Sequence, residues 1–391
     1  MKVCVEILSG AGRKTAAAIL VTYQASPQAR TLRFLLDAGG ALEAGEAKGW
    51  TQPDNLDAIF ISHDHQDHMG GLDDVDSRVP VYATLLVQKQ LPSHLNLQTL
   101  PVCGTTVVEG IDVTTGSAGH SFGGVWLHLN IGKGVFYSGD FSLESTLYPF
   151  TMPPKASIAL LDASYGLYDH SLEQCKSALV NFLGDERALL MPVPQSGRAL
   201  EIACWLTSFG FDDWTLGEDC LSPESALAAP IEGICTEVRP ILERIKSQPF
   251  NPDAKVVLCG DPDGMSGEAA VLLQQSERYL PVYTGHLPEH ARQAVSEDKA
   301  HFVRWNVHPR KRDLKRLVDH LECDVCSPLF HHMKDLKEWK TALGSSVTSQ
   351  ASISQTYLSE TSMSQSRVSE MNSSQTNTSQ TKIEQHYDVN P

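Results

Sequence analysis

Three histidines and two aspartates lie within six consecutive residues, the segment HDHQDH at positions 63–68. The whole chain of 391 residues has only 15 histidines, so this cluster stands out from the composition. It directly follows the apolar run LDAIFIS, which predicts a β-strand, and so it is expected on a loop at a strand end, where sites are commonly built. His63 and His65 can point the same way in an extended stretch, whereas Asp67 and His68 can turn to a second centre.

Other residues of the metal-binding types follow other apolar runs. His120 ends GSAGH, Asp140 ends FYSGD, and the pair His331 and His332 follows VCSPLF. Imidazole and carboxylate together suit Zn²⁺, with Mn²⁺ as the alternative where carboxylates dominate. An aspartate can bridge two ions held ~3.5–4 Å apart, and Asp140 is the best candidate. A lone histidine is usually an ordinary core or surface residue, but this ordered set predicts a two-metal hydrolase.

Composition excludes few functions. The formal net charge of −16 argues against a protein that grips nucleic acid with its whole surface, although a local basic groove remains compatible with it. The 9 cysteines are scattered singly except for Cys323 and Cys326, which predicts reduced thiols. No segment approaches the ~20 apolar residues of a membrane-spanning helix. These features predict a soluble, cytoplasmic protein without a membrane partner.

The pattern of predicted secondary structure changes twice along the chain. The first third is rich in short apolar runs broken by glycine and aspartate, which predicts sheet. From about residue 166, helix and strand patterns alternate, beginning with a capping box at Ser171 and Gln174, as in an α/β unit with a parallel sheet. Residues 344–391 are mostly Ser, Thr and Gln, which predicts a disordered tail.

The segments LLDAGG, HDHQDH, SAGH and YSGDFS resemble, in order, four motifs of the metallo-β-lactamase fold, an α/β fold in which two stacked sheets form an αβ/βα sandwich. The resemblance implies one metal on His63, His65 and His120 and a second on Asp67 and His68, with Asp140 as the bridge. It also implies that Asp37 braces the histidine loop by hydrogen bonds.

Later segments resemble the β-CASP nucleases of this superfamily, the group of RNase J and the endonuclease of mRNA 3′-end processing. They are LLDASYGLYDH, PVPQSGRALEIA, VYTGHLPEHARQAV, VRWNVHPRKRDLKRLVDHL and VCSPLFHH. This resemblance implies a metallo-β-lactamase domain in residues 1–165 and 303–343, interrupted by a β-CASP-like insertion in residues 166–302.

The same resemblance assigns further site residues. His308 would be a general acid, with Asp162 and Asp67 as further catalytic residues. His331 would complete the second metal shell, although the adjacent His332 leaves the register open. In this family, histidine at the last motif goes with RNA substrates. The implied function is a dinuclear zinc phosphodiesterase that cleaves single-stranded RNA, exo- or endonucleolytically, by attack of a metal-bridging hydroxide.

Three residues are predicted to bind substrate. Ser196 and Arg198 open a helix after a strand, a geometry that suits an anion, although a plain N-cap would explain Ser196 equally well. Arg310 belongs to a basic stretch that is either a phosphate-tracking strip or a solvated helix face. In the segment GDPDGMSG, by contrast, Asp261 and Asp263 would repel a phosphate.

Three alternatives stay open at this level. The chain could be a metal-dependent hydrolase of a small ester or thioester, a nuclease directed at DNA, or a non-catalytic RNA-binding scaffold. Cleavage mode, natural substrate, the role of the tail and oligomeric state are beyond what the sequence predicts.

Overall fold

The computed structural model describes residues 1–42, 46–195, 197–229, 233–246, 248–285 and 287–349. Most of the tail predicted for residues 344–391 therefore lies outside the described residues. Its first residues do not: Val347 is buried and pairs with Cys326, whose amide donates a hydrogen bond to Ser346 O at 2.8 Å. The prediction that disorder begins at residue 344 is wrong here, because the apolar Val347 side chain is buried in the core.

The amino-terminal part of the chain forms a six-stranded sheet in sequential order. Its first three strands are antiparallel and the others parallel. The strands are β1 (Lys2–Ser9), β2 (Ala18–Gln24), β3 (Leu32–Leu36), β4 (Ala58–Phe60), β5 (Pro80–Thr84) and β6 (Asn96–Leu100). Two short helices follow β4 and β5, α1 (Gln66–Met69) and α2 (Leu85–Gln88).

A second six-stranded sheet packs against the first. Buried side chains of both sheets, among them Phe34, Phe60, Leu127 and Tyr137, form one apolar core. The order along this sheet is β17, β11, β10, β9, β8, β7. Their bounds are β7 (Gly104–Val108), β8 (Ile111–Ser117), β9 (Val125–Leu129), β10 (Val135–Tyr137), β11 (Ile158–Asp162) and β17 (Val325–Leu329). Two stacked sheets confirm the predicted fold class.

A third, parallel sheet has five strands in the order β13, β14, β12, β15, β16. They are β12 (Ala188–Pro192), β13 (Trp214–Leu216), β14 (Val256–Cys259), β15 (Tyr279–Tyr283) and β16 (His301–Phe302). The helices between residues 166 and 302 are α3 (Leu172–Val180), α4 (Arg198–Ser208), α5 (Pro223–Leu227), α6 (Arg239–Ile245), α7 (Gly267–Leu273) and α8 (Glu289–Ser296). The capping box predicted at Ser171 and Gln174 starts α3. This alternation agrees with the predicted α/β unit.

The chain then returns to the second sheet through α9 (Lys311–Leu321), β17 and α10 (Leu336–Leu343). The buried carboxylate of Glu201, on α4, joins this return to the rest of the chain. It accepts hydrogen bonds from Ser145 Oγ at 2.7 Å, the Thr146 amide at 2.8 Å and Trp305 Nε1 at 2.8 Å. These bonds hold the segment before His308 against the loop after β10. Within the described residues, no helix is both long enough and apolar enough to cross a membrane.

Candidate metal centre

Four predicted ligands meet at the carboxyl end of β4. One donor atom from each of His63, His65, His120 and Asp140 lies within 4.8 Å of the others. His120 Nε2 is 3.1 Å from His65 Nδ1, and Asp140 Oδ2 is 3.7 Å from His120 Nε2 and 3.9 Å from His63 Nε2. Residues separated by up to 77 positions in the chain are thus brought to one point. The structure therefore brings together the first predicted ligand set.

A second group shares Asp140. Donor atoms of Asp67, His68 and Asp140 also lie within 4.8 Å of one another. His68 Nε2 is 3.2 Å from Asp140 Oδ1 and 3.7 Å from Asp67 Oδ2. Asp140 thus lies between the two groups, where a bridging carboxylate was predicted.

The Asp37 carboxylate holds the histidine loop from below. It is fully buried and accepts hydrogen bonds from the Ser62 amide at 2.7 Å, Ser62 Oγ at 2.8 Å and Tyr137 Oη at 2.6 Å. His68 Nδ1 lies 2.6 Å from its Oδ2 and donates to it, which leaves His68 Nε2 for the cluster. This is the bracing contact that was predicted for Asp37.

Burial holds the histidines of the first group in the form that can bind a metal. It lowers the pKa of His63 and His120 well below the ordinary value and that of His65 to about 4, because a charged ring would lose its hydration. His120 Nδ1 donates to Val307 O at 2.6 Å, which directs Nε2 into the cluster. Neutral imidazoles with one nitrogen fixed by a hydrogen bond are suited to coordination.

The donor set fits a divalent cation. His63 Nε2 is buried and has no hydrogen-bond partner among the described residues, and the 3.2 Å contact of the buried His68 Nε2 and Asp140 Oδ1 does not have the geometry of a hydrogen bond. Buried polar atoms without partners cost free energy unless a ligand satisfies them. Imidazole and carboxylate donors at these separations therefore support the use of a divalent metal, with His63, His65, His120 and Asp140 as its holders.

His308 and Asp162 form a pair beside this cluster. His308 Nδ1 lies 2.7 Å from Asp162 Oδ2 and 3.6 Å from Asp140 Oδ2. The other oxygen of the buried Asp162 accepts from the amide and hydroxyl of Ser164, at 2.9 and 2.6 Å. The carboxylate is therefore fixed, and through it the ring of His308 is fixed, with Nε2 as the nitrogen left for other contacts.

His331, predicted as the last ligand, is not brought into the cluster. It packs next to Gly166, where a Cβ would come within 2.6 Å of His331 Nε2, and next to Trp339, with ring centroids 5.7 Å apart. Phe330 faces the site instead, with its ring centroid 5.6 Å from that of His68. The side chains of adjacent residues in an extended segment point to different sides. The residue that faces the site is therefore Phe330, one position before His331 and two before His332.

A lysine that the sequence analysis missed enters the centre. Lys14 Nζ is 3.0 Å from Asp67 Oδ2 and 2.8 Å from Asp140 Oδ2. Although burial opposes the charged form, these carboxylates raise the pKa of Lys14 above its ordinary value. Only the position of Lys14 two residues after the glycine-rich stretch SGAG, between β1 and β2, could have pointed to it.

The three predicted substrate-binding residues have different outcomes. Ser196 lies outside the described residues. Arg198 is half-buried and its Nε has no hydrogen-bond partner among the described atoms. Burial lowers the pKa of this guanidinium from its ordinary value. Arg198 begins α4 directly after Gly197, where a Cβ would lie 1.7 Å from the hydroxyl oxygen of Tyr148, so only glycine fits there.

The prediction for Arg310 is wrong. Its guanidinium is 2.9 Å from both the Glu144 and the Asp313 carboxylates, and the residue is 9% exposed. Its charge is already paired within the fold, so it caps the start of α9 and joins α9 to Glu144 rather than facing a substrate.

A cleft of about 950 Å³ leads to the cluster. His65, Asp67, His120, Asp140 and His308 line it, and Arg198 also borders it. The lining residues between positions 218 and 263 include four carboxylates, the acidic wall, which are Glu218, Asp219, Asp261 and Asp263.

The predicted repulsive loop turns its own backbone amides inward. Asp261 Oδ2 accepts from the amides of Met265 at 2.9 Å and Ser266 at 2.6 Å and from Ser266 Oγ at 2.7 Å. These donors are thereby occupied by a carboxylate of the chain.

Comparisons with known proteins agree with this fold and these motifs. The family model of the beta-lactamase superfamily domain matches residues 32–165. The transcription termination factor FttA of Lokiarchaeum sp. is 28% identical over 206 residues, which is 41% of this chain and 32% of FttA. Ribonuclease TTHA0252 of Thermus thermophilus is 27% identical over 215 residues, 46% of this chain and 50% of the ribonuclease. This chain thus matches half or less of the length of these relatives.

A solved structure extends the likeness of fold beyond the matched domain. The crystal structure of a protein of unknown function from Enterococcus faecalis V583 superimposes with a TM-score of 0.55 at 15% identity, covering 85% of this chain and 94% of that one. The stacked sheets, the ordered motifs and the two named relatives agree. This chain carries a beta-lactamase superfamily domain in residues 32–165 and is similar in sequence to the termination factor FttA and to ribonuclease TTHA0252.

Proposed function

We propose that the chain is a zinc-dependent phosphodiesterase that cleaves single-stranded RNA. The observation that carries the proposal is the pair of His308 and Asp162, 2.7 Å apart, placed beside the metal-binding cluster in one cleft with Arg198. A simple metallohydrolase needs the cluster alone. A phosphodiester with a poor leaving group additionally requires a fixed acid and a guanidinium in the cleft, and Arg198 Nε has no hydrogen-bond partner among the described residues.

Each group has a separate part in the proposed reaction. A divalent ion at His63, His65, His120 and Asp140 would supply a Lewis acid that activates water at neutral pH. Asp67 would orient the attacking water. His308 would donate a proton from Nε2 to the departing oxygen, while Asp162 accepts its Nδ1 hydrogen and fixes the ring. Arg198 would bind a phosphate oxygen of the substrate. Of the two zinc ions predicted from the sequence, the proposal keeps the one at this first position.

The division of the chain supports this arrangement. We propose the metallo-β-lactamase domain in residues 1–165 and 303–343 and the insertion in residues 166–302. The five-stranded sheet is built from strands between Ala188 and Phe302, and the cleft is lined from both parts. A single strand entering between them would pass the cluster on one side and Arg198 on the other.

The acidic wall favours a second candidate function. Glu218, Asp219, Asp261 and Asp263 oppose a polyanion, so hydrolysis of a small ester or thioester by the same metal cluster is the alternative. Such a substrate would not need His308 or Arg198.

Metal content and cleavage are to be measured together. The full chain is loaded with Zn²⁺ and incubated with 5′- or 3′-labelled single-stranded RNA and DNA, with His63→Ala as the inactive control. We expect RNA cleavage that stops in a chelator and returns with Zn²⁺. Cleavage of DNA alone would replace the RNA assignment. Hydrolysis of a thioester without cleavage of either polymer would favour the second candidate.

Arg198→Met is expected to raise KM for RNA by roughly 10- to 100-fold, because a charge-assisted hydrogen bond contributes about 1.5–3 kcal/mol. Steady-state cleavage measures this effect. The matched control is Arg78→Met, since Arg78 pairs with Asp76 on the surface. An unchanged KM in Arg198→Met would show that this guanidinium does not contact substrate.

A further inference from the structure

The Lys14 ammonium lies where a second metal ion would have to bind. Its Nζ is 3.0 Å from Asp67 Oδ2 and 2.8 Å from Asp140 Oδ2, two of the three side chains in the second ligand group. At these separations the ammonium occupies the space between the two carboxylates. A divalent ion would have to displace it, since two cations at one point repel each other.

The ring of Phe330 lies at the position predicted for His331, the last ligand of the second metal. The Phe330 ring centroid is 5.6 Å from that of His68 and 4.9 Å from Lys14 Nζ. A phenyl ring has no lone pair for a metal ion, but its face attracts an ammonium. The neighbouring histidine, His331, packs beside Gly166 and Trp339.

The loop that carries Lys14 is itself docked on Phe330. The Phe330 amide donates to Gly10 O at 2.8 Å. Gly10 has φ of +95°, and a Cβ there would come within 2.7 Å of the Phe330 ring. Only glycine allows this approach, which places Lys14, four residues later, over the carboxylates. Lys14 and Phe330 therefore form one unit.

We propose that Lys14 takes the place of the second cation, so that the chain binds one divalent ion, at His63, His65, His120 and Asp140. The inference rests on the proposed metal-dependent function and replaces the predicted two-ion site. The group of Asp67, His68 and Asp140 then surrounds the Lys14 ammonium, which is part of the chain, and does not hold an exchangeable ion.

The test counts ions directly and needs no substrate. The full chain is stripped with a chelator, saturated with Zn²⁺, passed through gel filtration and analysed by inductively coupled plasma mass spectrometry. We expect one Zn²⁺ per chain for the wild type and for the control Arg13→Ala, an exposed neighbour of Lys14. The double variant Lys14→Ala/Phe330→His is expected to hold two ions, and His63→Ala sets the background.

Each outcome decides a different point. Two ions above background in the wild type would overturn the inference and leave the proposed function intact. A double variant that folds, judged by its circular dichroism, and still holds one ion would overturn the role of Lys14. No bound ion in the wild type would overturn the proposed function as well. Should the double variant not fold, titration of the wild type with Co²⁺ by visible absorption decides, with saturation at one equivalent supporting the inference and at two equivalents overturning it.

Discussion

Replacing His308 with alanine is expected to lower kcat for RNA cleavage by roughly 10²- to 10⁴-fold, the usual contribution of a positioned general acid. The bound metal should be unaffected, because none of the four proposed holders of the ion is changed. Single-turnover cleavage of labelled RNA measures the rate, and elemental analysis of the same sample measures the metal. The reason lies in the 2.7 Å contact between His308 Nδ1 and Asp162, which presents Nε2 as the proton donor.

A substrate with a good leaving group separates acid catalysis from damage to the site. Hydrolysis of bis(p-nitrophenyl) phosphate needs little protonation of the departing oxygen, so His308→Ala should retain far more of this activity than of RNA cleavage. His94→Ala, at an exposed position, is the matched control. Equal losses on both substrates would show that His308 positions the site and does not donate the proton. Full RNA cleavage by His308→Ala would remove it from the mechanism.

Replacing Asp37 with alanine is expected to lower the free energy of unfolding of the metal-free protein by about 3–5 kcal/mol, as when one partner of a buried charged pair is removed. Asp37 is fully buried and is the common acceptor for Ser62, His68 and Tyr137, whose polar groups would be left without it. Metal affinity should fall by about 10- to 100-fold, since His68 and the loop lose their orientation. Urea unfolding in the presence of a chelator measures the first effect, and competition with a zinc chelator the second.

Asp37→Asn is the matched variant. Asparagine tolerates the left-handed backbone that Asp37 adopts, with φ of +57°, so the substitution preserves the turn and removes the charge. We expect its free energy of unfolding to lie between that of the wild type and that of the alanine variant. An alanine variant that unfolds at the wild-type urea concentration and binds Zn²⁺ as tightly would show that the carboxylate does not brace the loop.

The local sequence was sufficient to identify the members of the first ligand group as candidate ligands, and the family resemblance grouped them on one metal. His63 and His65 are close in the chain, and His120 and Asp140 each end a strand-like run. Ligands at strand ends meet because the sheets that carry those strands are packed face to face. The same argument predicted the capping box of α3, where side chain and backbone partners lie within one turn.

Contacts between distant segments could not be predicted in this way. The basic stretch around Arg310 suggested a surface for phosphate, but Glu144 lies far away in sequence and pairs with this arginine in the fold. Arg198 has the same charge, but among the described residues its Nε has no acceptor. Charge is visible in the sequence, whereas its partner depends on packing.

The sequence by itself determined the superfamily and the chemistry of the ligands, because both are carried by residue types at the ends of strand-like runs, and the resemblance to the β-CASP nucleases singled out His308 and Asp162. The tertiary structure decided what occupies the second half of the centre. Whether Phe330 or His331 faces His68 depends on how the chain turns after β17, and Lys14 reaches Asp67 and Asp140 only because its hairpin loop docks on Phe330. A shift of one residue in the segment after β17 would bring His331 instead of Phe330 to His68, and the pattern of neighbouring residues does not indicate which of the two faces the site.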